Sequence, residues 1–188
     1  FRRVLFRSHI YKQLKDKAAS MERRQLAKTG MLRSAHMLGN EEEIIFTATD
    51  LLADTKLALE LSNEAHYYRA KAYLDAGKTD GAMEDLKILA KDTRNVYGAE
   101  AKYKVAQIYF DGGQTDKAEQ EVLNYIEVST PHTYWLARSF VLLADVYMKL
   151  GRNLDAKQYL LSLKQNYQAD DDIAGMIESR LEKLKTEN

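Results

Sequence analysis

One pattern occurs three times with the same internal spacing, and it constrains the fold more than any other feature of the sequence. It reads Ala-x-x-Tyr-x-x-x-Gly-x-x-x-x-Ala and begins at Ala70, Ala106 and Ala144. In every copy an apolar residue follows the last alanine at the fourth and the seventh position. The copies are 36 and 38 residues apart. A period of this length indicates a stack of similar structural units.

Each copy predicts two helices joined by a tight turn. The first alanine and the tyrosine are three residues apart, so they share one face of a first helix. The glycine stands where this helix must end, because glycine readily adopts the left-handed conformation of a helix cap. The last alanine and the two apolar residues after it form the stripe of a second helix. Because an alanine lies on each helix, the two backbones can approach closely.

The same repeat spacing can be followed through most of the chain. A weaker upstream copy contains Leu32, Ala35, Gly39, Ile44 and Ala48. Beyond the three strong copies, an apolar stripe from Ile173 to Leu184 predicts a terminal capping helix, whose outer face is polar. We therefore predict one repeat domain over residues 9–188: a partial repeat 9–20, a degenerate repeat 21–58, repeats 62–96, 97–132 and 133–168, and a capping helix 170–186.

Two local features lead to further expectations. Residues 1–8 do not continue the helical pattern, and their apolar stretch is too short for a signal peptide, so they predict a non-native leader. At the last junction between repeats, Thr130 can cap a helix and Pro131 can occupy its first position. This pair predicts that the first helix of the last repeat is about one turn longer than its counterparts.

The repeated pattern resembles the tetratricopeptide repeat, a unit of 34 residues. The resemblance covers residues 64 to about 168, and the spacing in this chain is longer by two to four residues. It implies an all-α fold of about nine or ten helices, stacked as antiparallel pairs in a right-handed α-solenoid. The degenerate spacing also resembles that of bacterial cell-envelope members of the family.

Charge is balanced overall but uneven along the chain. The 28 basic and 28 acidic residues cancel, whereas residues 1–33 contain ten basic and two acidic side chains. This segment is either a basic arm for an anionic partner or a solvated helix face. The second interpretation is favoured and no nucleic acid is expected, since the aromatic or glycine-rich context of a nucleic-acid module is missing.

The sequence offers no group of residues typical of an enzyme. Cysteine is absent, which excludes a thiolate metal site and a cysteine nucleophile. The histidines lack a second histidine at ligand spacing, and His66 is expected to be a partly buried helix residue. The acidic runs 41–43 and 170–172 precede apolar periodic segments, so they predict helix starts rather than metal sites. We therefore expect a non-enzymatic protein without cofactor or metal.

The resemblance assigns one face of each first helix to a concave groove that binds a protein. Large rings there act either as binding anchors or as packing against the next repeat, and Tyr67, Tyr103 and Phe110 are open to both interpretations. The predicted groove residues are Tyr67, Lys71, Leu74, Tyr103, Gln107, Phe110, Arg138, Asp145 and Met148.

Three functions fit these observations. The leading hypothesis is a protein-interaction module or scaffold that holds a peptide or a helical segment in its groove. The second is a structural subunit of a bacterial cell-envelope assembly, which would place the chain in the periplasm or envelope without insertion into the membrane. The third is a regulatory repeat region of a larger multidomain protein. An upstream lipobox in the full-length reading frame would favour the second, and a downstream kinase or DNA-binding domain the third.

Overall fold

The computed structural model describes residues 2–186, and over this range the chain forms ten α-helices and no strand. The prediction of an all-α fold with nine or ten helices is confirmed. The helices are α1 (Arg2–Lys17), α2 (Met21–Leu38), α3 (Glu41–Leu52), α4 (Leu59–Asp75), α5 (Thr79–Leu89), α6 (Val96–Asp111), α7 (Thr115–Ile126), α8 (Thr133–Lys149), α9 (Asn153–Asn166) and α10 (Ile173–Thr186). None of the helices within 2–186 is both long and apolar enough to cross a membrane.

Four helix pairs are joined by the same glycine turn. The glycines at 39, 77, 113 and 151 have φ between 64° and 73°, the left-handed conformation that the repeated pattern predicts. At the second turn the amide of Lys78 donates to the carbonyl of Tyr73 at 2.7 Å, and that of Gly77 donates to Leu74 at 3.0 Å. The other three turns have both bonds at equivalent positions. These bonds satisfy carbonyls that the end of a helix leaves without partners.

The chain divides into two compact units, residues 2–89 and 90–186. In the N-terminal unit, α2, α3 and α4 enclose an apolar core of small and branched side chains. Its buried members are Leu32, Ala35, Ile44, Ala48, Leu51, Ala65 and Ala72. The repeat positions of the degenerate copy therefore face inward.

A buried ionic cluster joins three helices of the N-terminal unit. Asp85 on α5 is 1% exposed and accepts hydrogen bonds from Arg69 Nε and Nη2 on α4 at 2.8 and 2.7 Å. His66 Nδ1 lies 2.7 Å from the same carboxylate, and Arg69 Nη1 donates to Thr49 on α3. Burial alone would raise the pKa of Asp85, but the bonds from Arg69 and His66 outweigh it and lower the pKa. The expectation that His66 is partly buried is confirmed.

In the C-terminal unit, α6 to α10 pack around a larger core. The repeat alanines at 106, 118, 144 and 156 are at most 1% exposed, and Tyr125 and Tyr147 are buried as well. Helix α10 buries Ile173, Ile177, Leu181 and Leu184 and exposes its remaining polar face, as a capping helix should.

Two expectations about helix boundaries are wrong. Helix α1 already begins at Arg2, so residues 2–8 continue the helical pattern instead of standing outside it. Helix α8 begins only at Thr133, and Thr130 does not cap it. The Thr130 hydroxyl instead donates to the carbonyl of Thr93 and accepts from the amide of His132. Because of this tertiary bond, the additional residues between the two repeats belong to the loop before α8 and do not lengthen the helix.

The acidic runs lie at helix starts, as predicted. Residues 41–43 form the first turn of α3, where the Asn40 side chain caps the amide of Glu43. Asp171 accepts a hydrogen bond of 3.0 Å from the amide of Ile173, the first residue of α10. Carboxylates at these places interact favourably with the positive end of the helix dipole.

Overpacking the contact between paired helices should destabilise the C-terminal unit. Ala118 on α7 is 0% exposed within the core, so Ala118→Trp must push neighbouring helices apart. We expect the free energy of unfolding to fall by about 1–3 kcal/mol, measured by urea denaturation. Ala174→Trp, at an exposed position of α10, is the matched control. An unchanged denaturation midpoint for Ala118→Trp would contradict the packing.

Candidate binding site

The nine predicted groove residues lie on the first helices of three successive repeats. Three are on α4 in the N-terminal unit, and six are on α6 and α8 in the C-terminal unit. Within each helix they are three, four or seven positions apart, so each set shares one helix face.

In the N-terminal unit, the predicted residues form a partly exposed surface with aromatic and basic side chains. Lys71 Nζ lies 5.5 Å from the ring centroid of Tyr67, within range of a cation–π interaction. The Tyr67 ring contacts Tyr68, which stacks on His36 of α2 at 4.2 Å between centroids. Burial first, and then the charge of Lys71, lower the pKa of His36. Leu74 is half-buried on the same face.

Helix α2 contributes a part of this surface that was not predicted from the sequence. Leu26 and Met37 are 61% and 65% exposed, and Arg33 between them binds Glu64 of α4 through two hydrogen bonds of 2.6 and 2.7 Å. The repeat spacing could have indicated this part of the surface, because Leu26 and Arg33 lie 38 residues before Glu64 and Lys71, the spacing of the degenerate repeat. The surface of this unit therefore extends over α2 and α4.

In the C-terminal unit, four predicted residues come together in one recess. It has a volume of about 130 Å³ and lies between α6, α8 and α10. Five of its eight lining side chains carry a polar group, and the other three are apolar. Its lining residues are Tyr103, Gln107, Arg138, Val141, Leu142, Asp145, Met176 and Arg180.

Arg138 is the centre of an aromatic cluster at this recess. Its guanidinium carbon lies 5.1 Å from the ring centroid of Tyr103, 5.8 Å from Tyr134 and 6.0 Å from Trp135. Nη1 donates to the Tyr134 hydroxyl at 2.9 Å, and Nη2 donates to the Tyr103 hydroxyl at 3.2 Å. Burial opposes the charge, but these bonds outweigh it and raise the pKa of Arg138 above its ordinary value. The guanidinium is therefore charged and fixed in place.

The C-terminal helix supplies a recess residue that the sequence analysis did not predict. Arg180 on α10 donates from Nε and Nη2 to the two carboxylate oxygens of Asp145 at 2.9 and 2.7 Å. Asp145 is thus neutralised within the fold. No local pattern indicated this pair, because its members are 35 residues apart and belong to different helices.

Of the two interpretations left open for Tyr103, the structure favours packing. The ring is 5% exposed and lies 5.6 Å from that of Trp135, centroid to centroid. Its hydroxyl donates to Gln107 Oε1 at 2.8 Å and so reaches the edge of the recess. A buried ring cannot serve as an open hydrophobic anchor, so Tyr103 contributes its hydroxyl and its support of Arg138.

Phe110 and Met148 are half-buried and do not line the recess. Lys149 Nζ lies 5.0 Å from the centroid of the Phe110 ring. Gln107 lies at the edge of the recess on the side of Phe110, and its amide nitrogen donates to Asp111 Oδ1 at 2.8 Å. Phe110 is more exposed than Tyr103 on the same helix, and its role as a binding anchor stays a prediction.

Comparison with protein families supports the tetratricopeptide repeat resemblance. Two segments, residues 64–92 and 137–165, match models of the tetratricopeptide repeat. They coincide with α4–α5 and α8–α9, two of the helix pairs with the glycine turn. A comparison with curated protein sequences gives no match.

Solved structures share the fold. The crystal structure of nearly identical TPR-like repeats, assigned to a kinesin light chain of Podosopora anserina, superposes with a TM-score of 0.61 at 19% identity and covers 86% of both chains. The crystal structure of the MamA protein gives a TM-score of 0.58 at 17% identity, covering 84% of this chain and 90% of that one. At such identities the likeness establishes the helical-repeat fold alone.

Proposed function

We propose that this chain is a non-enzymatic protein-interaction module that binds a peptide or a helical segment of another protein. The binding surface is the face of α6 and α8 together with the recess closed by α10. The observation that carries the proposal is the convergence of four predicted groove residues on that recess. Tetratricopeptide repeats are generally protein-interaction modules, which agrees with this assignment.

The chemistry of the surface suits protein recognition. Tyrosine, tryptophan and arginine dominate the energetics of protein interfaces, and here all three occur within one cluster around Arg138. Their side chains are held on helices by mutual contacts, so little conformational entropy is lost when a partner binds. Val141 and Leu142 also line the recess but are only 3% and 2% exposed, so the surface that a partner meets there is mostly polar.

The other two functions stay predictions. A cell-envelope subunit and a regulatory region of a larger protein would use the same repeats as a fixed part of an assembly. In both cases the recess would be covered permanently by a neighbouring domain or subunit. A periplasmic or envelope location follows only from the second hypothesis, and the full-length reading frame tests both.

A peptide selection tests the proposed surface. Random peptides displayed on phage are selected on the immobilised full chain, and the dissociation constants of the enriched peptides are measured. We expect Gln107→Ala to weaken binding about fivefold, because it removes a hydrogen-bonding group from the recess. Gln158→Ala, at an exposed position of α9, is the matched control and should leave binding unchanged. Selected peptides that bind both variants like the parent would contradict the assignment of this face.

A further inference from the structure

We propose that the outer face of α9 is a second interaction surface, and that it binds an acidic amphipathic helix of another protein. This outer face consists of Leu154, Lys157, Gln158, Leu161, Lys164 and Gln165. It is separate from the recess, because none of the residues that line the recess belongs to α9. The inference therefore does not rest on the proposed function.

The exposure of Leu154 departs from the pattern of the other repeats. This side chain is 79% exposed, the largest value for a large apolar residue among the described residues. In each helix pair with the glycine turn, the third residue after the glycine lies in the first turn of the second helix. Three of the four pairs have an acidic residue there, which interacts favourably with the helix dipole: Glu42, Asp80 and Asp116. Because a leucine gains nothing from the dipole, helix stability does not account for Leu154.

The outer face also repeats itself after seven residues. Leucine, lysine and glutamine occur at 154, 157 and 158 and again at 161, 164 and 165. All six side chains are exposed, whereas Ala156, Leu160 and Leu163 on the opposite side of α9 are buried in the core. A repeat of seven residues keeps equivalent side chains on one face, as in helices that pack side by side. The two leucines therefore have the spacing that a second helix requires.

The two lysines determine the charge of the occupant. Lys157 makes no ion pair within the described residues, and Lys164 pairs with Glu178 of α10 where both side chains are 54% exposed. An exposed pair of this kind is weak, so a partner can replace it. The one acidic residue of α9, Asp155, is bound by Arg152, so a second copy of this face would bring no free carboxylate to the lysines. Charge complementarity therefore favours an acidic helix of another protein.

A selection of helical peptides tests the inference. Peptides of three heptads, with leucine at the first position of each heptad and the flanking positions randomised, are displayed on phage and selected on the immobilised full chain. Clones that also bind Leu154→Asp are discarded. This substitution introduces the acidic type of residue that the other copies have, so the variant should keep the denaturation midpoint of the parent. We expect the remaining clones to be enriched in aspartate and glutamate on one flank of the leucines.

Further variants separate this face from other surfaces. Dissociation constants of the selected peptides are measured by fluorescence anisotropy. Lys157→Glu should weaken binding about tenfold, and peptides with lysine in place of their acidic residues should recover it. Leu161→Ser should weaken binding as well. Ile88→Ser, at a 45% exposed position of α5, and Gln107→Ala in the recess are the controls and should leave binding unchanged.

Four results would overturn the inference. If no clone distinguishes the parent from Leu154→Asp, the leucines bind no helix. If the selected clones show no preference for acidic residues, the lysines do not select the partner. If the parent sediments as a dimer and Leu154→Asp as a monomer, a second copy covers the face. If Gln107→Ala weakens the selected peptides, they bind the face of α6 and α8, which supports the proposed function and contradicts this inference.

Discussion

Replacing Asp85 by alanine is expected to destabilise the N-terminal unit by about 3 kcal/mol. The substitution leaves the guanidinium of Arg69 and the ring of His66 without the carboxylate that binds both of them at 2.7 Å. Removing one partner of a buried ion pair costs about 3–5 kcal/mol. The lower end applies here, because the Arg69 and His66 side chains are 18% and 13% exposed and regain some hydration.

Urea denaturation of the full chain measures this loss, and amide exchange of α4 and α5 assigns it to the N-terminal unit. Glu84→Ala is the matched control, since it removes an exposed carboxylate from the neighbouring position of the same helix. We expect Glu84→Ala to resemble the parent. Equal stability of the two variants would contradict the role assigned to the ionic cluster.

The same carboxylate should make the N-terminal unit sensitive to acid. Because the pKa of Asp85 is lowered in the folded chain, its contribution is complete above the unfolded pKa of about 4. That contribution is lost as the pH falls through the lower, folded value. The parent should therefore lose stability more steeply than Asp85→Ala on acidification below about pH 4.

Replacing Tyr103 by alanine is expected to destabilise the C-terminal unit by about 3–4 kcal/mol. Truncation of a buried aromatic ring to alanine costs about 3–5 kcal/mol through lost burial and the cavity that remains. Here the ring is 5% exposed and packs against Trp135 and the guanidinium of Arg138. The hydrogen-bonding partners of its hydroxyl, Gln107 and Arg138, are left unsatisfied as well.

Tyr103→Phe separates the ring from the hydroxyl. It keeps the packing and removes the hydrogen bonds, so we expect a loss of about 1 kcal/mol, measured by urea denaturation of the full chain. If Tyr103→Ala proved as stable as the parent, the ring would be an accessible groove residue after all. Tyr103→Ala is therefore unsuitable as a test of binding, and Gln107→Ala serves that purpose instead.

The sequence by itself was sufficient to predict the helices, their turns and their packed faces. The spacing of Ala106, Tyr109, Gly113 and Ala118 recurs in every strong copy. It determines interactions between residues that are close in sequence. Glycine in the left-handed conformation ends a helix through bonds to its own last turn. The helical period likewise decides which residues share a face. Local rules of this kind need no knowledge of the rest of the fold.

The site was only partly predictable. The groove positions on α6 and α8 were assigned by the resemblance to the repeat family, and the structure brings Gln107, Arg138 and Asp145 to one recess. The resemblance could not indicate that Tyr103 is buried, because its burial depends on Trp135 from the next repeat. It also could not indicate that Asp145 is occupied by Arg180, a residue of the capping helix.

Only the tertiary structure decided which charges pair and where two helices begin. Asp85 meets Arg69, Asp145 meets Arg180, and Thr130 bonds to the backbone of Thr93, across sequence separations of 16, 35 and 37 residues. From the sequence alone, each acidic residue has many possible basic partners. Helix packing determines which of them pairs with it, because packing brings one within hydrogen-bonding distance and excludes water from the pair.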